Sequence, residues 1–475
     1  MAKRRSRTRG RGGSKGGVIL LLLLLVGIVI AAGYIYTAPE FEREKPQIKS
    51  PDHLWWNGKD PIRITLSDNV GLGSYKLVLS DGKHSVIIGQ GTFTGNPKEQ
   101  TLLVKYPSKS KVLDTKAKHL TLQVEVTDSS MWNLTAGNSA AKKIEIDIDT
   151  KRPNINILAN SRMINQGGSA LVVFQAEDEN MKHLYVLANG HTFKAQPYKK
   201  EGYYAALIAW PFTDTSFDAK IVAKDSAGNT RETHIPYYHG NPHYKNSKIH
   251  ATDKFIDGKI TDLAAGDPEY ANIDDKLAKL KAINEKMREK NEALIHKLSK
   301  KVSDEMIDSW KMKRFHPLKN GKKVASYGDH RFYYYDDKNH IISESYHVGY
   351  DLASTKMADI VSSNPGKVVY ADENGIYGNM PMIDHGLGLY TLYGHCSQIF
   401  VKEGDEVHAG EVIAKTGMTG LALGDHLHFG IVIQGIEVRP VEWFDQKWIT
   451  KFIDRVFEEA DRIIEPKSKI STSKK

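Results

Sequence analysis

A single cysteine, Cys396, in a chain of 475 residues leaves no partner for an intramolecular disulfide, so stability must come from packing. Net positive charge is also scarce outside one place. Seven of the formal +9 charges are Lys3, Arg4, Arg5, Arg7, Arg9, Arg11 and Lys15, which leaves about +2 for everything else. A basic excess confined to the first residues speaks against a nucleic-acid ligand, which needs a cationic folded face. Charge is missing altogether from Val18 to Tyr36. That length suits a membrane-spanning helix of about 20 residues better than the shorter apolar region of a signal peptide. Ala31-Ala32-Gly33 would be a weak cleavage site for the alternative, a removed leader. With basic residues 1–17 before the span, the rule that positive flanks stay inside predicts a single-pass protein of the cell inner membrane. Its N-terminus is then cytoplasmic and the remainder periplasmic or extracellular.

After a linker from Pro39 to Pro46, two stretches read as all-β. The first, 46–149, alternates apolar and polar residues in Ile62 to Leu66, Tyr75 to Leu79 and Leu120 to Val126. The second, 150–240, does so in Ile155 to Leu158, Ala170 to Ala176 and Ala219 to Ala223. Turn signals such as Ser80-Asp81-Gly82 and Ala227-Gly228-Asn229 punctuate both, and the pair resembles tandem bacterial immunoglobulin-like sandwiches. The pattern turns helical in a connector over 270–316. There Leu277, Leu280, Met287, Leu294 and Leu298 take heptad a and d places, and Asn284 and Asn291 fall on a. That admits a homodimer seam or a regulatory protein partner through 273–313; a helix packed on its own chain fits equally. A helix is expected over 447–465 and a disordered Lys- and Ser-rich tail over 466–475.

Chemistry concentrates between these last two regions, in His347-Val-Gly-Tyr-Asp351, Tyr393-Gly394-His395 and His426-Leu427-His428. Imidazoles and a carboxylate are ligand types for Zn²⁺, which keeps one position open for water when three protein groups hold it. In a strand His426 and His428 share a face. Gly349 then marks a bend that lets His347 and Asp351 reach the same ion. Five candidates for three ligand positions leave two imidazoles to move protons. Cys396 follows His395 directly and on a strand would point the other way, into the core. His385 reads as structural and His408 as solvent-exposed.

The blocks Gly328-Asp-His-Arg331, His347-Val-Gly-Tyr-Asp-Leu352, Gly378-Asn379, Ile383 to His395, Val401 to Val407, Gly417-Met-Thr-Gly420 and His426-Leu-His-Phe429 resemble the lysostaphin-type (LytM-like) zinc endopeptidases of bacterial cell walls. The resemblance covers roughly 321–446. It implies one Zn²⁺ per chain held by His347, Asp351 and His428, with His395 and His426 catalytic and peptidoglycan peptide stems as substrate. Two positions depart from the family pattern: Asp425 replaces a common proline, and Gly430 stands where an acidic residue is usual. Some relatives of this fold have lost ligands and act as non-catalytic activators of other wall hydrolases, which is the rival reading. An adhesion or scaffold protein is a third. The fold expected is mainly β: two tandem sandwiches, a helical connector and a β-rich peptidase domain after one transmembrane helix.

Overall fold

Alternating apolar residues become strands throughout the computed structural model, which describes residues 15–108, 112–114 and 116–466. The basic residues before Lys15 and the tail from Lys467 lie outside the described residues. The chain is mainly β. Among the described residues one helix, Gly16–Thr37, is long and apolar enough to cross a bilayer.

Two compact units divide the chain: Met1–Lys151 with Ser226–Asn229, and Arg152–Asp225 with Thr230–Lys475. In the first, a three-stranded and a five-stranded sheet share one core. Ile64 and Leu66 from one sheet meet Leu77, Leu122, Val124 and Ile144 from the other. The inward set is the one that the period-2 pattern marks.

The second unit begins with two four-stranded sheets over 154–234, and their core is continuous with that of the sheet that follows. Leu427–Ile433 lies at the centre of that following sheet, flanked by Tyr350–Ala353 and Leu389–Gly394. All seven of its residues are buried, which explains its nearly continuous apolar run. The C-terminal helix, Arg455–Ile464, buries Val456, Phe457, Ala460 and Ile464. It packs on Asn154–Asn160 and Ser169–Glu177, so the helix expected on the enzyme sits on the upstream β-sheet. Tyr198 Oη donates to Asp461 Oδ1 at 2.6 Å, and Ser161 Oγ donates to the Phe452 carbonyl at 2.6 Å.

The connector differs from its heptad reading in three respects. Helix stops at Ser299, and 300–316 runs as an extended strap that bridges Tyr198 through Ile307 and donates from Trp310 Nε1 to the His385 carbonyl at 2.9 Å. A π-helical turn interrupts the helix at Ala282–Met287, and beyond Asn291 the buried positions are Ile295 and Ser299, with Leu294 and Leu298 half-buried. The two asparagines are buried within their own chain: Asn284 Nδ2 donates to Ser343 Oγ at 2.9 Å, and Asn291 Oδ1 accepts from Ile376 N at 2.9 Å. The helical face that would form a dimer seam is thus packed intramolecularly.

His385 is fully buried, with Nδ1 donating to the Pro365 carbonyl and Nε2 2.8 Å from Thr391 Oγ1. Burial pushes its pKa from 6.5 down to about 4. As pH falls through this window the unfolded ring takes a proton that the folded ring refuses, so stability falls, by about 3 kcal/mol in full. Urea unfolding at pH 7 and pH 4 should therefore show a smaller pH penalty for His385→Asn than for the parent; equal penalties would exclude this origin.

Candidate metal centre

Antiparallel pairing sets Asp351 directly opposite His428, and His428 opposite Gly394 at the end of Leu389–Gly394. His347 closes the strand Ile341–His347, three residues before the chain re-enters the sheet at Tyr350–Ala353. Nδ1 of His347 lies 2.8 Å from the Ser326 carbonyl. A carbonyl can only accept, so Nδ1 carries the proton and Nε2 presents a lone pair. That Nε2 is 2.9 Å from Asp351 Oδ1 and 3.1 Å from His428 Nδ1, and the latter two atoms are 2.9 Å apart. Burial alone would raise the Asp351 carboxyl, but His347 and His428 hold it well below the usual carboxylate range. Burial likewise pushes His428 down to about 4, so its ring is neutral near pH 7.

Three buried nitrogen and oxygen atoms that converge on one point form a group able to hold a metal ion. Tetrahedral zinc with bonds of about 2.0 to 2.1 Å separates its ligand atoms by about 3.3 Å, close to the spacing here. Nε2 of His428 is buried with no hydrogen-bond partner among the described residues, so only the Nδ1 side anchors this ring. A divalent ion at Nδ1 fits that need, and the donor set of two imidazoles and one carboxylate suits zinc.

Gly349 acts by closeness as well as by bending. A β-carbon there would lie 2.4 Å from both Cε1 and Nε2 of His428. Gly430 is explained in the same way, since a β-carbon would meet Leu392 at 2.7 Å, leaving no space for the acidic residue usual at that position. Asp425 ties two loops together instead of stiffening one as proline would. Its Oδ1 accepts from Thr416 Oγ1 at 2.6 Å and its Oδ2 from Met357 N at 3.1 Å.

The two remaining imidazoles stand beside this cluster. His395 adopts a left-handed backbone, φ 66°, beyond the end of its strand. Its Nδ1 donates to the Thr419 carbonyl at 2.9 Å, and its ring centre is 4.8 Å from that of His426 and 5.8 Å from that of His428. Burial first, and the neighbouring His426 and His428 second, push its pKa well below the ordinary value. His426 precedes the strand Leu427–Ile433. It donates from Nδ1 to the Gly424 carbonyl at 2.7 Å and brings Nε2 to 3.7 Å from Asp351 Oδ2. All five side chains line one cavity of about 620 Å³. His385 and His408 lie outside it, and Cys396 is buried with its thiol pushed up to about 12 by burial.

Two further residues carry no spacing signal that would have assigned them a role. Arg331 places Nη2 3.8 Å from Asp351 Oδ2 and Nε 3.5 Å from Asp329 Oδ2. Tyr377 packs its ring edge-on to His428, with centres 5.4 Å apart. Both fall in or beside the motif blocks, Arg331 closing Gly328-Asp-His-Arg331 and Tyr377 preceding Gly378-Asn379.

The family model for Peptidase family M23 matches residues 345–440, which include all five of these side chains. This stretch is an M23 peptidase domain. Over 95 residues the chain is 40% identical to the DD-carboxypeptidase/endopeptidase Mpg of Neisseria meningitidis serogroup B, covering 20% of this chain and 22% of Mpg. Over 107 residues it is 36% identical to the murein hydrolase activator NlpD of Escherichia coli K12, covering 22% of this chain and 28% of NlpD. A crystal structure of a putative peptidase M23 from Pseudomonas aeruginosa aligns at 18% identity and TM-score 0.38, covering 61% of this chain and 97% of that one. The chain therefore spans less than a third of the length of the curated relatives described.

The crowding at Gly349 within the M23 domain makes a direct prediction. Gly349→Ala should displace the His428 ring and destabilise the fold by about 1 to 3 kcal/mol, the usual cost of overpacking. A thermal melt unchanged from the parent would show that the ring has room to move.

Proposed function

We propose that this chain is a membrane-anchored zinc endopeptidase that hydrolyses peptide cross-links of peptidoglycan. The convergence of three lone-pair donors from His347, Asp351 and His428 beside two further imidazoles is the observation that carries the reading. The similarity of its M23 domain to a DD-carboxypeptidase/endopeptidase supports the substrate class. Helix Gly16–Thr37 would hold the protein in the inner membrane, and the immunoglobulin-like β-modules would act as spacers facing the wall.

His347, Asp351 and His428 would hold one zinc ion. When bound, zinc lowers the pKa of a water molecule towards ~7 and polarises the scissile carbonyl. His395 and His426 each commit Nδ1 to a backbone carbonyl, which leaves Nε2 to take or give a proton. Burial keeps the His395 ring neutral, so that Nε2 carries a lone pair. His426, beside Asp351 Oδ2, would carry a proton to the leaving amine or donate to the developing oxyanion. Arg331 and the Ser326 carbonyl orient Asp351 and His347.

The second reading, a non-catalytic activator of other wall hydrolases, draws on the similarity to NlpD. The presence of all five polar side chains around one cavity favours hydrolysis. Zinc-loaded full-length protein in detergent, incubated with purified sacculi, should release free amino groups, and a chelator should stop the release. Absence of any release by folded, zinc-loaded protein would favour the activator. His395→Ala should keep stoichiometric zinc yet lose about 10² to 10⁴ of the rate, whereas His428→Ala should lose the metal. Metal content by atomic absorption, measured alongside the rate, separates the two.

A further inference from the structure

Strand Asn246–His250 lies outside the stretch matched to the M23 family, yet it supplies a wall of the metal cavity. It pairs in parallel with Asp329–Tyr334, from Asn246 opposite His330 to His250 opposite Tyr334. Among the described residues it is the outer strand of that three-stranded sheet, so its other edge is unpaired. Four consecutive residues, Ser247 to His250, line the cavity. Side chains of a strand alternate between faces, so consecutive residues meet one cavity only where the strand turns its edge towards it.

The charge of this wall is one-sided. Lys245, Lys248, Arg288 and Arg331 line the cavity against Asp329 and Asp351. Both carboxylates are engaged, Asp351 with the imidazole cluster and Asp329 with Ser247 Oγ at 2.7 Å and Arg331 at 3.5 Å. Lys245 and Lys248 are exposed, and neither has a carboxylate within ion-pair distance among the described residues. Lys248 Nζ donates to the Lys338 carbonyl at 3.1 Å and to Asn339 Oδ1 at 3.4 Å, in the turn that joins Asp329–Tyr334 to Ile341–His347.

We propose that Asn246–His250 is the substrate-docking strand of this site. An extended peptide lies along its free edge by main-chain hydrogen bonds, and its free carboxylates pair with Lys245 and Lys248. The inference rests on the peptidase reading and narrows it to cross-linked stems that carry free carboxylates, against neutral bridges or amidated stems.

Binding, read apart from cleavage, tests it. Zinc-loaded full-length protein in detergent is titrated into a fluorescent dimeric stem peptide whose bridging amide is reduced and so uncleavable. The same peptide with its carboxylates amidated serves as the comparison. The Lys245→Ala/Lys248→Ala double variant should bind the free-carboxylate peptide about three- to tenfold more weakly, the range for partly exposed ion pairs. Parent and variant should bind the amidated peptide alike, and raising salt should erase the difference. Equal affinity of parent and variant for the free-carboxylate peptide would overturn the proposal, as would an equal loss for both peptides. Sacculus cleavage measured on the same preparations fails independently: loss of cleavage with the charge-dependent binding intact sinks the peptidase reading and leaves the docking strand standing.

Discussion

The register that puts Asp351 opposite His428 is the constraint on which the site depends. It brings residues 77 positions apart to 2.9 Å and aims a carboxylate oxygen and an imidazole nitrogen at the same point. A slip of one residue would leave the two side chains on opposite faces of the sheet. What prevents the slip is burial on both faces: Leu427, Phe429, Ile431 and Ile433 are as fully enclosed as the residues between them. The His347, Asp351 and His428 cluster thus depends on a register set within a buried sheet.

Around that register, backbone geometry does what side-chain chemistry cannot. Ser326, Thr419 and Gly424 each offer a carbonyl to an Nδ1, so three imidazoles share one tautomer and present Nε2 to the cavity. His395 reaches its place through a left-handed backbone, a conformation that costs free energy for a side chain of this size and that tight packing around it sustains. Glycine at 349 lets the backbone pass against the His428 ring. Rigid first contacts of this kind hold ligand atoms near one another before any ion arrives, which lowers the reorganisation that binding requires.

The β-sheets over 154–234 and the helices over 253–299 share their packing with the peptidase sheet in this unit. Trp443 Nε1 donates to Ser169 Oγ at 3.1 Å, and Gln434 bonds both Lys194 N and the Lys194 carbonyl. Glu292, its carboxyl pushed up to about 7 by burial, stands 3.5 Å from Tyr377 Oη, whose ring touches His428. Upstream sequence therefore reaches the candidate centre through one intervening side chain.

Sequence alone determined the kinds of group and their order. Five candidate ligand and proton-transfer residues, the apolar span and the alternating strands are local signals that depend on spacing, and the lone cysteine forecast its own burial. Other features depended on contacts between distant segments. The burial of Ile295 and Ser299 follows from packing on the chain's own sheet, and the strap over 300–316 exists because Tyr198, His385 and Trp443 offer it partners. The reason for Gly349 lies in the His428 ring 79 positions away, and the docking edge of Asn246–His250 emerges only when Asp329–Tyr334 pairs with it on one side. Periodicity records which face of an element is apolar; which surface that face meets, and what is left facing the cavity, is settled only when the whole chain closes on itself.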